Sequence, residues 1–129
     1  IAVSTGNHGK GVAYAAKQLG IKSIIFMSNL VPTYRRNAIE ILGANVEIVG
    51  TNSDEADQYA REYALKNDIE LIHPFDDLKI IAGQGTIGLE MLEEMSTVDT
   101  VIVPTSGGGL IGGVAIAIKQ QNPKVKIGK

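Results

Sequence analysis

Two glycine-rich segments hold the residues best suited to chemistry. The first, Ser4-Thr5-Gly6-Asn7-His8-Gly9-Lys10-Gly11, sets the hydrogen-bonding side chains of Ser4, Thr5, Asn7 and His8 among glycines. The second is Pro104-Thr105-Ser106-Gly107-Gly108-Gly109-Leu110-Ile111-Gly112-Gly113. Each follows a short apolar run and opens a segment with helical patterning. Successive backbone amides at a helix N-terminus, with hydroxyls beside them, make a cradle for an anion. Both segments therefore read as carboxylate or phosphate sites. The competing reading is a tight strand-to-helix turn whose glycines only permit close packing. In the second segment, three adjacent glycines leave the amides unshielded, so a phosphate could approach the main chain closely. Gly112 and Gly113 lower helix propensity relative to Ala, which predicts close packing there against a sheet or the other loop.

The pattern G-x-G-x-x-G occurs at Gly107, Gly109 and Gly112, after a strand and at the start of a helix, as a dinucleotide site requires. A nicotinamide or flavin cofactor stays open on that ground. A second match, Gly83-Gln84-Gly85-Thr86-Ile87-Gly88, lies inside a helical pattern with no strand before it and is set aside. Other candidates carry less. His8 and His73 are the only imidazoles, and with no Cys in the chain a metal site is not expected. Asp76-Asp77, Glu90, Glu93 and Glu94 read as loop and helix-face charges, and Arg35-Arg36 as a surface pair. Ser106 lacks a nucleophile elbow and reads as a hydroxyl donor to phosphate.

The elements that must position these segments alternate along the chain. Strands are predicted at Ile1–Val3, Ser23–Met27, Asn45–Val49, Glu70–Ile72, Thr100–Val103 and Val125–Ile127. Helices are predicted at Gly9–Leu19, Thr33–Leu42, Ser53–Asn67, Ile80–Met95 and Leu110–Gln121. Ser53 is the expected N-cap of the third helix, with Asp54 and Glu55 suiting the positive end of its dipole. Gly20 and Gly43 sit where helices end. Most strands are continuous apolar runs, which predicts burial on both faces. Strand–helix alternation implies an α/β fold with an open parallel sheet and helices on both faces. Such sheets bind ligands beyond the carboxyl ends of their strands, where both glycine segments fall. The interruption at His73-Pro74-Phe75-Asp76-Asp77 is the candidate domain boundary.

Composition narrows the classes. The 129 residues carry 12 Lys+Arg against 14 Asp+Glu, a net charge of -2, which argues against a nucleic-acid or polybasic membrane surface. An apolar content of 44% is ample for a core. No apolar run reaches the roughly 20 residues needed to cross a bilayer. The absence of Cys excludes disulfides and thiol nucleophiles, and a cytoplasmic location fits it. Ile1-Ala2-Val3 and Val125-Lys126-Ile127 look like strands cut at either end, so the chain is expected to be an internal fragment.

Four separated motifs occur in a familiar order: Ser4-Thr5-Gly6-Asn7-His8-Gly9, His73-Pro74-Phe75-Asp76, Ala82-Gly83-Gln84-Gly85-Thr86 and Ser106-Gly107-Gly108-Gly109-Leu110. Over essentially the whole chain the sequence resembles the fold-type-II pyridoxal-phosphate enzymes, nearest the threonine/serine dehydratase and serine racemase group. The resemblance implies a tryptophan-synthase-β-like fold, truncated at both ends, with residues 1–72 mainly in a small mobile domain and 73–129 in a large cofactor-binding domain. It implies pyridoxal 5'-phosphate as cofactor, held at Asn7 beside the ring and at Ser106, Gly107, Gly108, Gly109 and Leu110 around the phosphate. Ser4, Thr5, Gly6, Asn7 and His8 would bind the substrate carboxylate. Ser106 stands where the family loop has a further glycine. Thr5 stands where racemases carry a serine, which favours a dehydratase.

The implied reaction is β-elimination from a hydroxy amino acid to a keto acid and ammonia, a lyase activity of amino-acid metabolism. A racemase of the same fold is the alternative, as is the nicotinamide-dependent oxidoreductase using Gly107–Gly112; a non-catalytic module is a third reading. The implied Schiff-base lysine matches none of Lys10, Lys17, Lys22, Lys66, Lys79, Lys119, Lys124, Lys126 or Lys129. No catalytic residue is thus assigned within the chain, which is expected to be inactive by itself. The partner is a small amino acid, with no nucleic acid and no membrane, and the parent protein is expected to be a homo-oligomer.

Overall fold

The computed structural model describes residues 1–129. The chain forms β1 (Ala2–Val3), α1 (Asn7–Leu19), β2 (Ile24–Met27), α2 (Thr33–Glu40), β3 (Asn45–Ile48), α3 (Ser53–Asn67), α4 (Leu78–Glu94), β4 (Thr100–Ile102), α5 (Gly109–Gln121) and β5 (Lys126–Gly128). It divides into two compact units, Ile1–Pro74 and Phe75–Lys129.

The first unit is a parallel sheet of order β1-β2-β3, with Ala2 opposite Ile25 and Ile25 opposite Val46. The run Ile25-Phe26-Met27 is fully buried because the side chains of a strand alternate in direction and both faces are covered. Ile25 and Met27 pack with Ala13 of α1 and Ile39 of α2. Phe26 points the other way, onto Ala60 and Ala64 of α3. Its ring meets Tyr59 and Tyr63 at centroid distances of 5.4 and 5.3 Å, in tilted and edge arrangements that suit aromatic quadrupoles. The small residues Ala56, Ala60 and Ala64 recur every fourth position, so α3 buries a smooth stripe against the sheet. Helices thus lie on both faces of this sheet, as expected.

The segment Glu70–Ile72 forms no regular strand. It reaches the free edge of β1 through two bonds, Ile1 N to the Glu70 carbonyl (2.9 Å) and Ile72 N to the Ile1 carbonyl (2.8 Å). The cap of α3 also differs from expectation: Asn52, one residue before Ser53, is the N-cap, its Oδ1 accepting from the Glu55 amide at 2.9 Å. Glu55 turns back to accept from the Thr51 amide at 2.7 Å and from its hydroxyl, a close relative of the capping box. These bonds hold the Glu55 carboxyl below its ordinary range, the Thr51 amide first and its hydroxyl second; slight desolvation opposes them and Asn52 adds to them.

In the second unit β4 and β5 pair in parallel, Val101 opposite Ile127. The hairpin of α4 and α5 packs on them around Val101, Val103, Val114, Ile118 and Val125. Val101, facing the hairpin, is 6% exposed, and Ile102, on the opposite face, is 68% exposed within this stretch of chain. The close packing predicted for Gly112 and Gly113 is real at Gly113 only, and its partner is a helix. A Cβ on Gly113 would run into the Ile81 carbonyl, whereas one on Gly112 would meet nothing within 4 Å. Cβ atoms on Gly85 and Gly88 would stand 3.0 Å from the Gly113 and Val114 carbonyl oxygens. The discarded match at Gly83–Gly88 is therefore a seam where two helix backbones nearly touch. Its Thr86 hydroxyl donates to the Gly83 carbonyl at 2.8 Å. No helix is long and apolar enough to cross a membrane.

Candidate functional site

The first turn leaves the carboxyl end of β1 and enters α1 two residues earlier than the sequence suggested, at Asn7 rather than Gly9. The first intrahelical bond runs from the Lys10 amide to the Gly6 carbonyl at 3.2 Å, so the amides of Asn7, His8 and Gly9 precede it. Ser4 takes one of these: its Oγ accepts from the Gly9 amide at 2.9 Å and from the Gly6 amide at 3.2 Å. The Ser4 oxygen thus helps hold the turn with its two lone pairs and keeps its O–H to donate, and the Asn7 and His8 amides remain at the positive end of the helix dipole. Gly9 serves packing, since its Cβ would come within 2.9 Å of Ile39 Cδ1 and 3.3 Å of Ile25 Cγ2. At Gly6 a Cβ would meet nothing within 4 Å. Asn7 is exposed and Thr5 half-buried. The His8 ring is engaged elsewhere, its Nε2 lying 2.9 Å from the Ile72 carbonyl oxygen.

The second turn leaves β4 and enters α5 at Gly109. Its first intrahelical bond joins the Gly112 amide to the Gly108 carbonyl at 2.9 Å, so the amides of Gly109, Leu110 and Ile111 head the helix. Gly108 adopts φ 92° and ψ -16°, a left-handed conformation that disfavours side chains, and a Cβ there would project into open space. The glycines on either side are explained by Phe75, which the sequence offers only within a motif and at the candidate domain boundary. A Cβ on Gly107 would collide with the Phe75 ring, and one on Gly109 would lie 2.7 Å from the Phe75 carbonyl oxygen and 2.9 Å from its Cα. Phe75 therefore closes the Cα side of the turn. Ser106 is exposed, while the Thr105 hydroxyl donates back to the Val103 carbonyl at 3.1 Å.

The turn residues fit a phosphate. Three amides at a helix head and the room left by the missing Gly108 Cβ give a doubly charged oxyanion donors and space. They fit a dinucleotide less well. In that fingerprint the third glycine permits close packing of helix on strand, yet the side of Gly112 is open.

The other candidates are placed plainly. Asp77, read as a loop charge, caps α4: its Oδ1 accepts from the Lys79 amide at 2.7 Å and the Ile80 amide at 3.2 Å. An Asp directly before a helical pattern is the signal that could have found it. Arg36 pairs with Glu40 one helical turn away at 2.8 Å, while Arg35 stacks over Tyr34. Neither the Phe75 contact nor the His8 bond has a local signal, since their partners are distant in sequence.

Comparison with known proteins gives the family. The sequence profile of the family described as "Pyridoxal-phosphate dependent enzyme" matches residues 1–128. A catabolic L-threonine dehydratase from Staphylococcus aureus is 47% identical over 127 residues, covering 98% of this chain and 37% of the relative. Among solved structures, the processed form of threonine deaminase isoform 2 from Solanum lycopersicum superposes with a TM-score of 0.93 at 40% identity, covering 98% of this chain and 35% of that one. Maize serine racemase gives a TM-score of 0.92 at 36% identity, covering 98% and 38%. The chain thus spans 37% of the length of the curated relative it matches.

Proposed function

Because the chain belongs to the pyridoxal-phosphate-dependent enzyme family, we propose that it supplies both anion-binding turns of an ammonia-lyase acting on a hydroxy amino acid such as threonine or serine. The observation that carries this reading is the head of α5, where the Gly109, Leu110 and Ile111 amides precede the first intrahelical bond. In this reading Ser106, Gly107, Gly108, Gly109 and Leu110 bind the cofactor phosphate, and Phe75 keeps their path fixed. The amides of Asn7 and His8 receive the substrate carboxylate with the Thr5 hydroxyl, on a turn that Ser4 and Gly6 shape. The exposed Asn7 side chain is the group available to the cofactor ring. When bound, pyridoxal phosphate supplies an electron sink for the charge left at the substrate α-carbon.

The chain's own residues bind and orient; none of its lysines is assigned the α-proton. The proposal includes that the 129-residue chain alone turns over no substrate. It also assigns residues 1–72 to a small mobile domain and 73–129 to the large cofactor-binding domain. The intact protein is proposed as a cytoplasmic homo-oligomer, which light scattering tests. A racemase of the same fold is the second reading, favoured by the likeness to maize serine racemase.

The test uses the intact protein that contains this chain. Titration with pyridoxal phosphate should give a bound visible chromophore, and a hydroxy amino acid should then yield keto acid and ammonia. Inversion of the amino acid without ammonia would select the racemase. Binding of a nicotinamide cofactor in place of pyridoxal phosphate would refute the proposal.

A further inference from the structure

The carboxylate role given to the His8 main chain leaves its imidazole unused, yet the ring makes a specific long-range bond. His8 Nε2 lies 2.9 Å from the carbonyl oxygen of Ile72, 64 residues away in sequence. A carbonyl only accepts, so Nε2 carries the hydrogen. The acceptor is itself anchored. Ile72 N donates to the Ile1 carbonyl at 2.8 Å, and Ile1 N donates to Glu70. The turn is therefore held from two sides. Ser4 fixes it from within, through its Oγ bonds to Gly6 and Gly9 and its own amide bond to the Phe26 carbonyl at 3.3 Å. The His8 ring fixes the first residues of α1 from without.

We infer that His8 is a positioning residue whose ring, bonded to Ile72, holds the free amides of Asn7 and His8 in place for an incoming carboxylate. The identity of that ligand rests on the proposed function; the clamp itself does not. Helix ends fray, and the first turn of α1 has no cap from Gly6 itself. A side-chain tie to an anchored segment restricts that fraying without occupying the amides the ligand needs.

The experiment compares His8→Leu, which keeps bulk and removes the donor, with His8→Gln, which restores an N–H donor, in the intact protein. Amide hydrogen exchange at Gly9 and Lys10, the bonded amides of the first turn, is read without ligand. Loss of one hydrogen bond predicts exchange about five- to tenfold faster in His8→Leu, with His8→Gln within about twofold of the parent. In turnover, KM for the amino acid should rise by a similar factor while kcat stays within about twofold, the pattern of lost uniform binding. Unchanged exchange in His8→Leu, or equal acceleration in both variants, overturns the inference. Should His8→Leu fail to fold, parent-like exchange in His8→Gln supports the clamp and fast exchange overturns it. If the intact protein binds no pyridoxal phosphate, the proposed function fails, while the exchange results still decide the clamp.

Discussion

Substituting alanine at each glycine of the second turn, with and without the Phe75 ring, separates the reasons those glycines are there. At Gly107 a methyl group would strike the Phe75 ring. At Gly109 it would lie 2.7 Å from the Phe75 carbonyl oxygen and 2.9 Å from its Cα, both main-chain atoms that no rotamer moves. Overpacking of this kind costs about 1–3 kcal/mol. At Gly108 the space is open but φ is 92°. That left-handed strain costs roughly 1–2 kcal/mol and is independent of Phe75. Phe75→Ala removes the ring and keeps the main chain. Its own cost should fall below the roughly 3–5 kcal/mol of a buried Phe, since Phe75 is 41% exposed. Gly107→Ala should therefore be destabilising in the parent and nearly neutral beside Phe75→Ala, a coupling of about 1–2 kcal/mol. Gly109→Ala and Gly108→Ala should cost the same in both backgrounds. Urea unfolding of the intact protein measures this as a shift in midpoint at constant slope. Pyridoxal-phosphate titration should show Gly107→Ala losing affinity and the double variant recovering part of it. Equal costs for Gly107→Ala with and without the ring would refute the reasoning.

Other substitutions follow from the same geometry. Ser4→Ala removes the acceptor for the Gly6 and Gly9 amides and should destabilise by about 1–2 kcal/mol in chemical denaturation. Gly83→Ala and Gly112→Ala, whose methyl groups would meet nothing within 4 Å, should each stabilise by roughly 0.5–1 kcal/mol through helix propensity. Gly113→Ala should instead destabilise, because its methyl would run into the Ile81 carbonyl; thermal midpoints of the three variants check both signs. Glu55 has a lowered folded pKa, so its contribution is present above the ordinary value of 4.5 and is lost as pH falls through the lowered one. The gap in melting temperature between the parent and Glu55→Gln should be widest at neutral pH and close on the acid side.

The order of elements was legible because apolar runs and helical patterns alternate clearly, and the boundaries of α3 at Ser53 and Asn67 were found to the residue. The turns were legible for the same reason: glycines between a strand and a helix have few other uses. What the sequence could not convey was direction. Gly107 and Gly109 read as openings for a ligand; that their missing side chains also admit Phe75 has no local signal. Gly85 and Gly88 looked like failed nucleotide glycines, whereas they bring α4 against α5. Ser4 reads as a ligand group, and its oxygen has a second use, accepting from amides two and five residues ahead. Each of these features concerns a partner distant in sequence, or a second use of one atom.

The Phe75 contact has a consequence for reading descent. Two of the three consecutive glycines answer to an aromatic neighbour and the middle one to its own torsion angle, so all three would be retained by a lineage that had abandoned vitamin B6 altogether. Their persistence among cousins would testify to how the loop is folded. Loss of catalysis would have to be sought in positions that folding leaves free to drift, Ser106 and Asn7 among them.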